Sequence, residues 1–153
     1  MSTPAKTIEI KIERTIPASP DELFDAWLNP EIPGTLWNAA EKYLLDPKVD
    51  GLFYWTLRGT SHYGRFTDIG RPGLIRHTWV SPNTLGWESI VTLTFAPRGE
   101  ETLMTLVHSG LPDTEAGRGH EKGWNYFTGI FSEQFGNGSR RDYRREDAHP
   151  PKK

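Results

Sequence analysis

Histidine is the residue of this sequence best suited to acid–base or metal chemistry. The chain contains five histidines and no cysteine, so such chemistry would depend on imidazole rings and not on thiols. His77 alternates in step with Ile75 and Trp79, and His108 alternates in step with Leu106. Because alternate residues of a strand share a face, we expect both rings to point inward.

An inward histidine is compatible with three roles. It can bind a metal or relay protons, it can orient a polar group of a ligand, or it can be a structural residue satisfied by backbone or water. No carboxylate or third histidine stands at ligand spacing, and no nucleophile, metalloprotease, Walker or dinucleotide motif is present. We therefore assign no catalytic residue, no metal and no cofactor.

Aromatic residues make up 12% of the chain and include six tryptophans. So many large rings indicate either an aromatic core or an aromatic-lined cavity. Trp27 fits the core, whereas Trp37, Trp79 and Trp124 fit a pocket wall and the core equally well. The candidate ligand-binding residues are Trp37, Tyr43, Phe53, Trp55, His77, Trp79, Ser89, His108, Trp124 and Phe127.

The elements that would position these residues begin with a strand at Ile8, Ile10 and Ile12, which alternate with charged residues. Ser19, Pro20 and Glu22 form the pattern of a capping box and predict a first helix. A short second helix or turn is expected over residues 31–36. The remaining strands are predicted at residues 43–46, 53–57, 62–69, 74–80, 91–95 and 103–109.

The last predicted element is a helix over residues 120–135. Its apolar residues recur every three or four positions, which is typical of an amphipathic helix that packs on a sheet. We expect it to stop at residues 136–138 and to be followed by a charged, disordered tail over residues 137–153. The basic run at residues 140–145 can contact an acidic surface, but a solvated tail explains it as well.

The bulk properties limit the class of protein. The 153 residues suit one domain, which we place at residues 7–136, and the net charge of -2 gives no support for a nucleic-acid or membrane partner. No apolar run is long enough to span a membrane, and residues 1–7 lack a signal-peptide pattern. We expect a cytoplasmic protein.

The order of elements predicts an α+β fold. Consecutive strands without intervening helices form an antiparallel meander, and a curved sheet of seven strands can wrap the last helix. The concave face must then be filled by large side chains or leave a cavity.

Several motifs occur in a distinctive order: residues 16–27 (IPASPDELFDAW), Asn29-Pro30-Glu31, Trp37, residues 46–51, residues 101–110, Gly119-His120 and Gly123-Trp124. In these motifs the sequence resembles the family of activator of heat-shock protein 90 ATPase homologues, within the START-like, helix-grip superfamily. The likeness covers roughly residues 8–135. Lys48 and Asp50 depart from the family's usual turn, and Pro33-Gly34 interrupts the region of the second helix.

The resemblance implies a helix-grip fold with an internal cavity, but not one activity. It favours binding of a small hydrophobic, aromatic or lipid-like molecule. One alternative is an enzyme of the cyclase, dehydratase or hydrolase type that uses His108 or His77 as acid or base. The other is a stress-related chaperone-activator module. In the co-chaperone that names the family this domain follows a separate N-terminal domain, which these residues do not include, so a chaperone partner ranks last.

Overall fold

The computed structural model describes residues 6–135. The strands are β1 (Thr7–Ile16), β2 (Lys42–Leu45), β3 (Leu52–Leu57), β4 (Thr60–Gly70), β5 (Leu74–Trp79), β6 (Ser89–Arg98) and β7 (Glu101–Pro112). The helices are α1 (Pro20–Trp27), α2 (Leu36–Ala39), α3 (Glu115–Arg118) and α4 (His120–Glu133), with a 3-10 turn at Pro82–Thr84. The expected helix stop at residues 136–138 and the tail at 137–153 lie outside the described residues.

All seven strands form one antiparallel sheet in the order β1-β7-β6-β5-β4-β3-β2. Strands β2 to β7 form a meander, and β1 crosses to pair with β7, so β1 and β2 are the two edges. This arrangement confirms the predicted α+β fold with a curved seven-stranded sheet.

The first helix begins as its sequence predicts. The Ser19 hydroxyl accepts a hydrogen bond from the Glu22 amide (3.2 Å), and the Glu22 carboxylate accepts one from the Ser19 amide (3.0 Å). Two of the otherwise unpaired amide groups at the helix start are thereby satisfied.

Residues 31–36, predicted as a short helix or a turn, form turns that lead into α2. The helix starts at Leu36, after the cap Thr35. Pro33 and Gly34 belong to a loop that packs against α4. Gly34 has a φ of +96°, and a Cβ there would collide with the backbone of Phe131. Only glycine allows this close approach.

Helix α4 packs in the hollow of the sheet. The ring of Trp124 lies 5.2 Å from that of Trp79 on β5, and the ring of Phe127 lies 6.2 Å from that of Trp55 on β3. On the β1 side, the Arg14 guanidinium donates to the Thr128 hydroxyl (2.8 Å). The helix ends at Glu133, two residues before the predicted end, and Phe135 is buried just beyond it.

One short helix was not predicted. Helix α3 is a single turn between β7 and α4, capped by the Thr114 hydroxyl, which accepts from the Gly117 amide at 2.9 Å. No helix within residues 6–135 is both long and apolar enough to cross a membrane.

Candidate ligand-binding site

A cavity of about 370 Å³ lies between the β3–β4 hairpin, the end of β5 and the start of α4. Four tryptophan or phenylalanine side chains, five polar side chains, three aliphatic side chains and two glycines line it. The aromatic and polar side chains among them are Trp55, Trp79, Trp124, Phe127, His62, His120, Arg58, Thr60 and Asn83. None of the residues that line the cavity within the described chain is acidic.

Trp79 is the centre of the aromatic wall. Its ring lies 5.7 Å from that of Trp55 and 5.2 Å from that of Trp124, and all three indoles are at least 97% buried. Phe127 stands edge-on to Trp55 at 88°. These tilted and edge-to-face contacts are the arrangements that aromatic rings prefer, so the wall is a rigid, apolar surface.

A two-residue turn sets the position of the β3–β4 hairpin. Arg58 and Gly59 have φ values of +53° and +79°, which is typical of a type I′ turn. The turn pairs Trp55 with His62, whose rings stack at 4.1 Å and 12°. From outside the turn, the Glu41 carboxylate accepts from the amide of Arg58 at 2.8 Å and from that of Gly59 at 3.4 Å.

Helix α3 orients His120. The Nδ1–H of His120 donates to the carbonyl oxygens of Ala116 and Gly117, each at 3.1 Å. Because a neutral imidazole carries one N–H, Nε2 is left as a hydrogen-bond acceptor. The ring is half-buried and lines the cavity.

His108 lies behind the cavity wall and is fixed in one tautomer. The indole N–H of Trp124 donates to Nδ1 of His108 at 2.9 Å. Nε2–H of His108 then donates to the Ser89 hydroxyl (2.8 Å), which itself donates to the carbonyl of Trp79 (2.8 Å). Both ring nitrogens are thus engaged within the protein, so neither is free to act as an acid or base on a ligand.

His77 is also enclosed by the core. Its ring is 1% exposed and lies 4.7 Å from Phe53 and 5.4 Å from Phe66. Nδ1–H donates to the carbonyl of Thr78 at 2.9 Å. The ring does not line the cavity.

Burial keeps the histidines around Trp79 neutral. Desolvation lowers the pKa of His62 and of His77 to about 4, and it lowers the pKa of His108 well below its usual range. The pKa of His120 is lowered by the same cause. A charge on His120 would further lower the pKa of His62 and of His108.

Within residues 6–135, no group of three or more histidine or acidic side chains is placed to bind a metal.

Four of the ten candidate residues line the cavity: Trp55, Trp79, Trp124 and Phe127. The structure places the other six elsewhere. Phe53 and Trp37 are core residues in contact with each other, and the Trp37 indole N–H donates to the carbonyl of Trp27 at 3.0 Å. Tyr43 is 44% exposed on the edge strand β2.

Of the remaining three, Ser89 and His108 support the wall from behind through their hydrogen bonds to Trp79 and Trp124. The ring of His77 lies 6.3 Å from that of Trp79 within the core. Ligand binding by any of the ten residues stays a prediction.

The sequence interpretation did not select His62 or His120. His62 could have been found from the turn, because an Arg58-Gly59 hairpin of two residues places residue 62 opposite residue 55. His120 lies one helical turn before Trp124, and this spacing places it near the same wall. Its orientation depends on the carbonyl groups of α3, and the capping residue Thr114 was the only indication of that helix in the sequence.

The curved sheet, the enclosed helix and the aromatic cavity together define a helix-grip protein. The family described as activator of Hsp90 ATPase homolog 1-like protein matches residues 17–135. This chain belongs to that family, as its sequence motifs predicted. Among curated protein sequences, none matches this chain significantly.

Several solved structures share the fold. Protein MLL2253 from Mesorhizobium loti is 21% identical, with a TM-score of 0.71 over 82% of this chain and 95% of that one. The HSP90 activator PFC0360w from Plasmodium falciparum is 25% identical, with a TM-score of 0.65 over 83% and 92%. The Aha1 dimer from Colwellia psychrerythraea is 13% identical, with a TM-score of 0.69 over 86% and 98%.

Proposed function

We propose that this protein binds a small, mainly aromatic molecule in the cavity between the sheet and α4. The observation that carries the proposal is the set of three buried indoles, those of Trp55, Trp79 and Trp124, around about 370 Å³ of open space. That volume lies within the range of small-molecule sites. A mostly apolar lining with some polar groups is also typical of such sites.

The wall chemistry favours a neutral or anionic aromatic ligand. Aromatic cages also attract quaternary ammonium groups. Here, however, Arg58 is the charged side chain of the lining, and no acidic residue lines the cavity within the described chain. A cationic ligand would meet the guanidinium without a compensating carboxylate, so we expect cations to be excluded.

Burial of apolar surface supplies most of the affinity. A bicyclic aromatic ligand that buries about 200 Å² of apolar surface gains roughly 5 kcal/mol. Loss of translational and rotational freedom offsets part of the gain, whereas a rigid wall limits the cost of ordering side chains. We expect naphthalene to bind with a dissociation constant of roughly 0.2 to 1 mM.

The test uses a variant that fills the cavity. Gly123 lies on α4 and lines the cavity, and a Cβ added there meets no atom within 4 Å. Gly123→Leu therefore occupies ligand space and also improves helix propensity. Naphthalene should quench the tryptophan fluorescence of the wild type, and Gly123→Leu should weaken binding at least tenfold.

The matched control is Lys122→Leu, which adds the same side chain at an exposed position of the same helix. It should bind naphthalene as the wild type does. If the wild type shows no saturable quenching with naphthalene, or if Gly123→Leu binds it equally well, the proposed cavity site is wrong.

An enzyme on this scaffold would need a different histidine from the two suggested by the sequence. His108 and His77 do not line the cavity, whereas His62 and His120 do.

The cytoplasmic location expected from the sequence stays a prediction.

A second candidate is contact with a chaperone of the Hsp90 class. It is favoured by the family to which the chain belongs and by an exposed apolar surface on the other face of the sheet. That surface contains Leu44, Leu52 and Tyr63, which are 69%, 64% and 51% exposed, on strands β2, β3 and β4. Exposed apolar patches of this kind often mark protein contacts.

This candidate is tested with purified Hsp90 and its ATPase rate. The wild type and Gly123→Leu should raise the rate equally, because the cavity lies on the opposite face of the sheet. Leu44→Ser combined with Tyr63→Ser should abolish the stimulation. An unchanged ATPase rate in the presence of the wild type removes the candidate.

A further inference from the structure

Two imidazole rings line the cavity. His62 comes from β4 and stacks on Trp55, and His120 comes from the first turn of α4. The two rings are near enough that charge on His120 opposes charge on His62. Neither ring has a carboxylate partner among the residues that line the cavity. Two neutral imidazoles therefore stand among the polar groups of the cavity wall, with Arg58, Thr60 and Asn83.

The backbone fixes the hydrogen-bonding sense of His120. Since carbonyl oxygens only accept, the 3.1 Å contacts to Ala116 and Gly117 require the proton of the neutral ring on Nδ1. Nε2 is then a lone-pair acceptor, and no partner for it occurs within residues 6–135. Thr114 supports this arrangement, because it caps the turn that supplies the two carbonyl groups.

An acceptor held in an aromatic cavity selects a donor on the ligand. A carboxylate or ether cannot donate to it, and an ammonium group is disfavoured beside Arg58. An aromatic hydroxyl satisfies both requirements, since it is neutral at pH 7 and donates one short hydrogen bond. A site built for a hydrogen bond also rejects the analogue that lacks the donor, because the acceptor is left unpaired.

We propose that the ligand carries a hydroxyl group on a planar aromatic ring, and that this O–H donates to Nε2 of His120. The inference rests on the proposed aromatic-binding function and adds the polar group that the site recognises. His120 is thus a specificity-determining residue, and the indole wall holds the ring that bears the hydroxyl.

The experiment compares three probes of similar shape: naphthalene, 2-naphthol and 2-methoxynaphthalene. The wild type should bind 2-naphthol about tenfold more tightly than 2-methoxynaphthalene. His120→Phe removes the acceptor but keeps a flat ring, so it should bind the two within about twofold. His120→Gln supplies a side-chain carbonyl near the position of Nε2 and should recover part of the preference.

A second measurement does not require a variant. The Nε2 ¹⁵N resonance of His120 should shift on addition of 2-naphthol to the wild type, and it should shift much less with 2-methoxynaphthalene. Circular dichroism confirms that the two variants are folded.

The outcomes separate the two proposals. If none of the three probes binds, the aromatic-binding function fails, and the inference fails with it. If 2-naphthol and 2-methoxynaphthalene bind the wild type equally while Gly123→Leu blocks both, the function stands and the hydroxyl inference is overturned. If the preference is unchanged in His120→Phe, or Nε2 does not respond to 2-naphthol, His120 is not the acceptor.

Discussion

The indole N–H of Trp124 donates to Nδ1 of His108 across 2.9 Å and so joins α4 to β7 inside the core. This bond orients Trp124, which forms part of the cavity wall, and His108, which lies behind the wall residue Trp79. The same bond fixes the proton of His108 on Nε2, where the Ser89 hydroxyl accepts it.

Removal of this bond should cost more stability than the loss of ring volume alone. In Trp124→Phe, Nδ1 of His108 is left as a buried acceptor without a donor. The control is Trp27→Phe, because Trp27 is equally buried and its indole nitrogen has no partner among the described residues. We expect Trp124→Phe to lower the free energy of unfolding by about 2 kcal/mol more than Trp27→Phe, measured by urea denaturation. Equal losses would show that the bond contributes nothing.

Acid should destabilise the fold through its buried histidines. The folded pKa of His77 is about 4, against 6.5 in the unfolded chain. Between these values the unfolded chain binds a proton that the folded chain does not, so stability is complete above pH 6.5 and falls as the pH drops toward 4. The shift of His77 alone corresponds to roughly 3 kcal/mol over that window.

The variant His77→Phe isolates this contribution, since its ring can occupy the same space between Phe53 and Phe66. Near pH 5, the free energy of unfolding of the wild type should rise with pH more steeply than that of the variant, by about 1.4 kcal/mol per pH unit. Asp68 and Asp113, whose pKa values are lowered by hydrogen bonds from Thr67 and Arg118, act equally in both proteins. Parallel pH profiles would mean that His77 titrates normally in the fold.

Periodicity predicted the longer strands because one face of each is buried, and alternation over six or more residues is a strong signal. Strand β2 is different, since it has four residues and none of them is buried. Periodicity also placed the last helix in the hollow of the sheet. It could not separate cavity wall from core, since Phe53 and Trp55 have the same parity on β3, yet only Trp55 lines open space. That difference depends on the distance between the β3–β4 hairpin and α4, which no local pattern encodes.

The inward histidines show the same limit. The sequence predicted that His77 and His108 are inward, and both are buried. Their hydrogen-bond partners are set by strand register and by the helix, which the alternation of one strand does not contain. The interpretation also treated Pro33-Gly34 as a helix interruption, whereas Gly34 is required for contact with Phe131.

Gly34 should tolerate no side chain. Alanine there must adopt a φ of +96° and place its Cβ against the Phe131 backbone, which cannot move without displacing α4. We expect Gly34→Ala to cost about 3 kcal/mol or more, measured by urea denaturation. The control is Gly99→Ala, because Gly99 also has a positive φ (+62°) but open space around its Cβ position. It should lose only about 1 kcal/mol, and similar losses at the two sites would contradict the packing argument.

Arg58 occupies a strained position at the mouth of the cavity. Its φ of +53° is unfavourable for a side chain of this size, and asparagine followed by glycine is the preferred pair for the same turn. Arg58→Asn should therefore raise the free energy of unfolding by about 0.5 to 1 kcal/mol. The Glu41 carboxylate should still cap the turn, because it accepts from the backbone amides of Arg58 and Gly59.

The control for this substitution is Arg98→Asn in the β6–β7 hairpin. Arg98 also precedes a glycine, but it pairs with Glu101 in the strand ladder and has an ordinary negative φ. Urea denaturation should show no gain at that position, because there is no backbone strain to relieve. A gain of the same size in both variants would point to a general effect of charge removal. A loss in Arg58→Asn would show that the arginine side chain stabilises the hairpin by more than its backbone strain costs.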